Sequence, residues 1–153
     1  MSILVAGLGS ACGADAFGWE VIRALQAHDL PGAVNLLQCH HPAEMLTPML
    51  GADTVIVVDA FVGAGEPGRI CRISLDDIES GSRQVHGLGV AEVLHLGLAM
   101  GLSVDRLHIF GLPVPASEVA LEPEWIHRAE VALLGVLARQ LAGEQVGSVA
   151  GGA

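Results

Sequence analysis

The sequence predicts a single-domain, three-layer α/β/α fold with a twisted, mostly parallel sheet of about five strands. Two observations carry that expectation. Strand-like apolar runs alternate with helix-like amphipathic runs through nearly the whole chain, joined by short connections; this order implies a parallel-type sheet covered on both faces. One run, "TVIVVDAF", is almost continuously apolar and β-branched, as strands buried on both faces are.

The elements follow in order. "SILVAGL" reads as the first strand. The first helix places Phe17, Val21, Ile22 and Leu25 on one face and Glu20, Arg23 and Gln26 on the other. "AVNLLQ" reads as a short second strand and "AEMLTPML" as a short helix. "TVIVVDAF" is the central strand, expected to end in Asp59. "RICRISL" alternates as an edge strand does. "GLGVAEVLHLGLAMG" is the second long helix and "RLHIFGL" another strand. The last helix is "EPEWIHRAEVALLGVLARQL", with Pro123 in its first turn, where a missing amide hydrogen is tolerated. The domain is expected to span residues 1–142. The tail, 143–153, "GEQVGSVAGGA", lacks periodicity and is expected to be flexible.

Composition narrows the class. At 153 residues the chain can bury a core, and 52% hydrophobic against 16% charged residues excludes intrinsic disorder. Seventeen acidic against seven basic residues give a formal net charge of −10. That field repels nucleic acid and anionic lipid, so neither is an expected partner, and it favours cations or a basic protein surface. The most apolar stretch, Gly87 to Val104, carries Glu92 and His95 and reads as a buried helix rather than a membrane span. No basic residue precedes Arg23 and a strand fills the N-terminus, so a secretory signal is not expected. Cys12, Cys39 and Cys71 are odd in number and lack a disulfide-framework spacing, which fits a cytoplasmic location. Tyr is absent and only five residues are aromatic, against a stacking surface for bases or sugars.

Sites in folds of this kind lie beyond the carboxyl ends of the strands. Ser10, Cys12 and Asp15 follow the first strand, and Gln38, Cys39, His40 and His41 follow the second. Asp59 closes the central run, and the loop after the Ile70–Leu75 strand leads to His86. "GLGSACG" spaces its glycines one position off a dinucleotide fingerprint, and Gln38 and Cys39 stand where a ribose-binding acid belongs. Asp15 would repel a bound phosphate. A tight turn and close strand–helix approach account for Gly7 and Gly9 without a nucleotide.

A cation reading uses more of these residues. Asp15 has an alternative role as a helix N-cap or first-turn acid. Asp59, after four apolar residues, faces steep desolvation unless a positive group or a backbone N–H meets it. His86 has an alternative role in capping or packing. Together, two carboxylates and an imidazole form an O/O/N set that suits a borderline metal such as nickel or zinc. Cys12, Cys39, His40 and His41 offer a second, softer set for zinc, without C-x-x-C or H-E-x-x-H spacing. His28, His95, His108 and His127 are expected to pack or to face solvent.

These residues also match a family pattern. "ILVAGLGSACGADAFG", "VIVVDA", "VHGLGVAEVLHL" and "LHIFGLPV" occur in the order found in the hydrogenase maturation proteases, and the resemblance covers about residues 2–142. Three departures stand out. Ser10 replaces the family's Asn, Ala14 replaces the first of its two acidic residues, and "QCHHPAE" replaces its usual loop after the second strand. The resemblance implies an endopeptidase that trims the C-terminus of a [NiFe]-hydrogenase large-subunit precursor once nickel is inserted. It assigns catalytic and metal-contacting roles to Asp15, Asp59 and His86. Nickel would be supplied by the substrate, zinc or cadmium would serve as surrogates, and the protein would act as a monomer. The departures leave an alternative: a non-catalytic metal-binding or docking module of the same fold.

Overall fold

Three strongly apolar runs, at Ile3, Thr54 and Leu107, set the inner sheet. In a computed structural model, described for residues 1–63, 65–79, 83–85, 89–116 and 118–143, they become β1 (Ile3–Leu8), β3 (Thr54–Gly63) and β6 (Leu107–Val114). All of β1, all of β6 and the first eight residues of β3 are buried. β2 (Val34–Cys39) and β4 (Cys71–Ile73) flank them, and the path runs β2-β1-β3-β6-β4. The pairs β1–β2, β1–β3 and β3–β6 are parallel, while β4 lies antiparallel on β6. A sixth strand, β5 (Arg83–Val85), lies antiparallel on β3. The mostly parallel α/β sheet expected from the sequence is thus present, with two short antiparallel additions.

Helices cover both faces. α1 (Phe17–Gln26) and α5 (Pro123–Leu141) cover one face, where Phe17, Ile22 and Leu133 pack on Ile3, Val5, Ile56, Val58 and Leu112. α2 (Leu46–Leu50) and α4 (Gly89–Ala99) cover the other, where Met49 and Leu94 pack on Ala6, Val55, Val57 and Phe61. The alternation of strand side chains between the two groups is the period of two that a doubly covered sheet requires. No helix among the described residues is long and apolar enough to cross a membrane.

Two connections differ from the sequence reading. β3 does not end at Asp59 but continues four residues to Gly63, because Phe61 and Val62 still pair with β6 and β5. Because β4 runs antiparallel to β6, its carboxyl end lies at the opposite rim from those of β1 and β3. The short α3 (Leu75–Glu79) and β5 follow it; neither is long enough to show a period in the sequence. The expected boundary at residue 142 falls one residue after α5, and residues 144–153 lie outside the described residues.

The sheet's order creates a switch point. From β1 the chain crosses over α1 to β2 on one side, and then crosses the other face through α2 to β3 on β1's far side. The crossovers leave a crevice between the carboxyl ends of β1 and β3, where open α/β sheets place ligands. Glycines bring α1 down onto this crevice. A Cβ on Gly7 would strike the Gly18 carbonyl, and one on Gly18 would strike the Leu8 backbone and lie 2.8 Å from the Val58 carbonyl oxygen. Main chain therefore packs directly on main chain.

On the α1 and α5 face, His108 is buried in β6, and Arg72 Nη2 donates to its Nδ1 at 2.6 Å. A guanidinium only donates, so the ring accepts in its neutral form. Burial first, then the Arg72 and Arg106 charges, push its pKa down from 6.5 to about 4. Between those values the unfolded chain takes up the proton and the folded chain does not. The contribution to stability is therefore full above pH 6.5 and is lost as pH falls toward 4, by on the order of 1–3 kcal/mol. His108→Gln keeps an acceptor for Arg72 without titrating. Urea denaturation should show a smaller stability loss between pH 7 and about 4.5 in this variant than in the parent.

Candidate active site

β1 stops where β3 does not. The last pairing of β1 with β3 is Gly7 with Val58, and β5 takes up the same edge only at Phe61, while β6 occupies the opposite edge from Val55 to Val62. Among the described residues, no strand pairs with Asp59 and Ala60 on the β1 side. The Ala60 N–H instead donates to Asp59 Oδ1 at 2.8 Å. The carboxylate thus satisfies an amide next to the interruption in the ladder, as a buried backbone donor requires. Asp59 is only 2% exposed, on the face of the sheet that carries Val57 and Phe61.

Asp15 lies in the turn that follows β1. After Leu8 the chain loops through Gly9 into a 3-10 turn, Gly13–Ala16, that runs straight into α1. Ser10 N donates to the Asp15 carbonyl at 3.0 Å, and Asp15 N donates to the Cys12 carbonyl at 3.1 Å. These bonds fold the loop back on itself, and the Asp15 carbonyl fills the space that a Cβ on Gly9 would need. Asp15 is half-buried and lies in the first turn of the 3-10 segment, while Ala16, the N-cap of α1, provides no side-chain cap. Of the two roles open to it, N-cap and first-turn acid, the structure shows the second.

Ala14, the family's other acidic position, is fully buried with Phe17, Val21 and Val58. Its methyl group fills the core at this position. His86 lies outside the described residues. The residue before it in sequence, Val85, pairs with Phe61, two positions beyond Asp59, and α4 begins with Gly89 facing Pro42.

The softer set does not assemble. Cys12, Cys39, His40 and His41 are all described, and no cluster of three or more His, Cys, Asp or Glu suited to a metal occurs among the described residues. The reason is directional: Cys39 ends β2 with its side chain in the core, whereas Cys12, His40 and His41 are exposed. Burial, reinforced by the nearby Glu44 carboxylate, pushes the Cys39 thiol up to about 12, so it stays protonated and a poor ligand. His41 begins the next 3-10 turn, with its N–H on Glu44 Oε1 at 3.2 Å.

What sequence reasoning missed is Trp19. Its indole Nε1 donates to the Cys39 carbonyl at 2.9 Å, and its ring meets His40 edge-on at 4.5 Å. Gln38 Nε2 donates back to the Trp19 carbonyl at 3.2 Å. The signal was available in principle: Trp19 stands four residues after Asp15, on the same side of one continuous helical stretch. Two further cavities, of about 380 and 440 Å³, lie at the opposite end of the sheet, beside Asp53 and Ser103 and beside Ser74 and Leu107. Of the remaining histidines, His28 Nε2 lies 3.3 Å from Glu130 Oε2, and His95 and His127 are exposed.

The family model of the hydrogenase maturation proteases matches residues 19–124, more than half of the chain. The chain belongs to this family. Membership places the chain among the hydrogenase maturation proteases by descent, and the solved structures agree in fold. The hydrogenase maturating endopeptidase HybD of Escherichia coli is 25% identical, with 92% of this chain and 94% of that chain covered and a TM-score of 0.77. An endopeptidase from E. coli solved in solution is 26% identical over 92% and 93%, with a TM-score of 0.75. The [NiFe] hydrogenase maturation protease HycI of Thermococcus kodakarensis, at 24% identity over 90% of each chain and a TM-score of 0.71, matches in fold. No curated protein sequence matches the chain.

The two cysteine environments predict unequal reactivity. Iodoacetamide at mildly alkaline pH should label Cys12 in the folded protein and spare Cys39 until denaturant is added, as peptide mass spectrometry would show.

Proposed function

We propose that this member of the family is an endopeptidase that removes the C-terminal extension of a [NiFe]-hydrogenase large-subunit precursor after nickel insertion. The observation that carries the reading is the β1–β3 switch point, with Asp59 beside the ladder interruption and Asp15 in the turn that follows β1. Carboxylates at such a place suit a cation better than a phosphate.

Nickel enters this scheme as part of the substrate. Asp15, Asp59 and His86 are the residues proposed to meet it, as two oxygen donors and one imidazole nitrogen. A metal so held would polarise the scissile carbonyl or lower the pKa of a bound water. With only part of its ligand set on the protease, the metal site would be completed when loaded precursor docks, so metal-free precursor would not be cut. Asp59 is suited to a fixed role, since its position in the sheet and its bond to Ala60 N restrict its movement. Asp15, at the more open side, is suited to adjust as substrate arrives.

Isothermal titration with nickel, or with cadmium as its surrogate, should detect a site that Asp59→Asn weakens by at least about tenfold; unchanged affinity would remove Asp59 from it. Asp15→Ala should fold normally by circular dichroism and slow the shortening of nickel-loaded precursor on a gel by on the order of 100-fold or more. Processing at the parent rate would exclude a catalytic role for Asp15. Mass spectrometry of precursor incubated with the parent protein separates an endopeptidase, which releases a C-terminal peptide, from a docking module, which leaves the mass unchanged.

A further inference from the structure

We infer that Trp19 is a positioning residue: through its bond to the Cys39 carbonyl at the end of β2, it holds the turn that carries Asp15 in place for metal contact; this rests on the role proposed above for Asp15.

Trp19 is a large side chain that the core does not use. Trp125, the other tryptophan, packs against the cluster beneath α1 and α5. Trp19 joins neither of the two clusters and stays half-buried at the rim. An enclosed indole usually finds a partner for its N–H. Here the partner belongs to another element: Nε1 donates to the Cys39 carbonyl at 2.9 Å, twenty residues along the chain. The main chain of the same residue is held as well, since Gln38 Nε2 donates to the Trp19 carbonyl at 3.2 Å. Two residues of β2 therefore grip Trp19, one at its indole and one at its backbone.

The turn needs such a hold. Ala11, Cys12 and Gly13 are exposed, and three bonds of this loop run within it. Cys12 N donates to Ser10 Oγ at 3.3 Å, Ser10 N to the Asp15 carbonyl at 3.0 Å, and Asp15 N to the Cys12 carbonyl at 3.1 Å. Such bonds fix the shape of the turn, not its place over the sheet. Ala14 and Phe17 fix the inner side by entering the core. Trp19 fixes the outer side. It stands four residues after Asp15, and a helical side chain leans back over the turn before it. Accordingly, Trp19 Cδ1 would lie 3.5 Å from a Cβ on Gly9, at the point where the Asp15 carbonyl also packs. Gly9 N donates to the same Cys39 carbonyl at 3.3 Å, so one acceptor ties both the start of the turn and the indole beside it. Metal contact makes the placement count. A carboxylate oxygen meets a zinc-like ion at about 2.0–2.2 Å, and groups that orient a ligand typically change affinity by about tenfold or more when removed.

The test reads the turn and the metal separately. Hydrogen exchange followed by NMR should show the Ser10 and Asp15 amides exchanging at least about threefold faster in Trp19→Ala than in the parent, with the β3 amides within about twofold. Isothermal titration with nickel should give a Kd about tenfold weaker for Trp19→Ala. Trp19→Phe, which keeps a ring and loses the donor, should bind about threefold more weakly than the parent. Circular dichroism should show both variants folded, since neither core cluster contains Trp19. An unchanged Kd for either variant overturns the inference. So does a weaker Kd accompanied by an equal loss of protection in β3, which marks a general loosening of the fold. A parent protein that binds no nickel overturns it too, while release of a C-terminal peptide from precursor would leave the proposed function standing. A parent that binds nickel and cuts no precursor refutes the proposed function alone, and the comparison of Kd values still decides the role of Trp19.

Discussion

The structure turns on a mismatch in length between neighbouring parallel strands. β1 releases β3 at Val58, and β3 runs on to Gly63 because β6 supports it along the other edge and β5 rejoins it at Phe61. A carboxylate in the middle of a covered sheet would ordinarily be prohibitive, since the effective cost of burying an ion is several kcal/mol. At the interruption it is admitted, with the Ala60 amide as one partner. Moved two residues toward the N-terminus, the same carboxylate would lie where β1 pairs, among Ala6, Val55 and Leu94. The site therefore depends on where β1 ends more than on any loop.

The glycines of the first turn serve the same geometry. Gly7 and Gly18 let α1 approach β1 and β3 with main chain against main chain, which draws the turn containing Asp15 over the strand ends. Larger residues at those positions would lift the helix from the sheet and carry Asp15 with it. What looks in sequence like a weakened phosphate loop is, in the fold, a packing device. Trp19 extends it sideways by binding the loop after β2, so that three rim segments move together.

Much of the architecture was legible because the inner strands declare themselves. "TVIVVDAF" and "LHIFGLPV" are buried along nearly their whole length, and such runs have few alternatives in a chain of alternating elements. The failures were equally physical. α3 and β5 are five and three residues long, too short for any period, and the direction of β4 was not encoded in its own residues. The zinc reading of "QCHH" failed because the side chain of Cys39, a strand residue, points into the core, while its two neighbours at the strand end stay exposed. A four-residue string does not reveal where a strand stops.

By itself the sequence determined the class of fold, the acidic character and, through four motifs in order, the family to which the chain belongs. It also singled out Asp15 and Asp59, because a charge bordering an apolar run is improbable without a purpose. Only the tertiary structure decided that Asp59 lies within a strand rather than after it, that Ala14 is a core residue, and that Trp19 joins two loops. Periodicity is a local property, written along one segment at a time. The end of one strand beside the continuation of another is a relation between segments far apart in the chain, and packing alone fixes it.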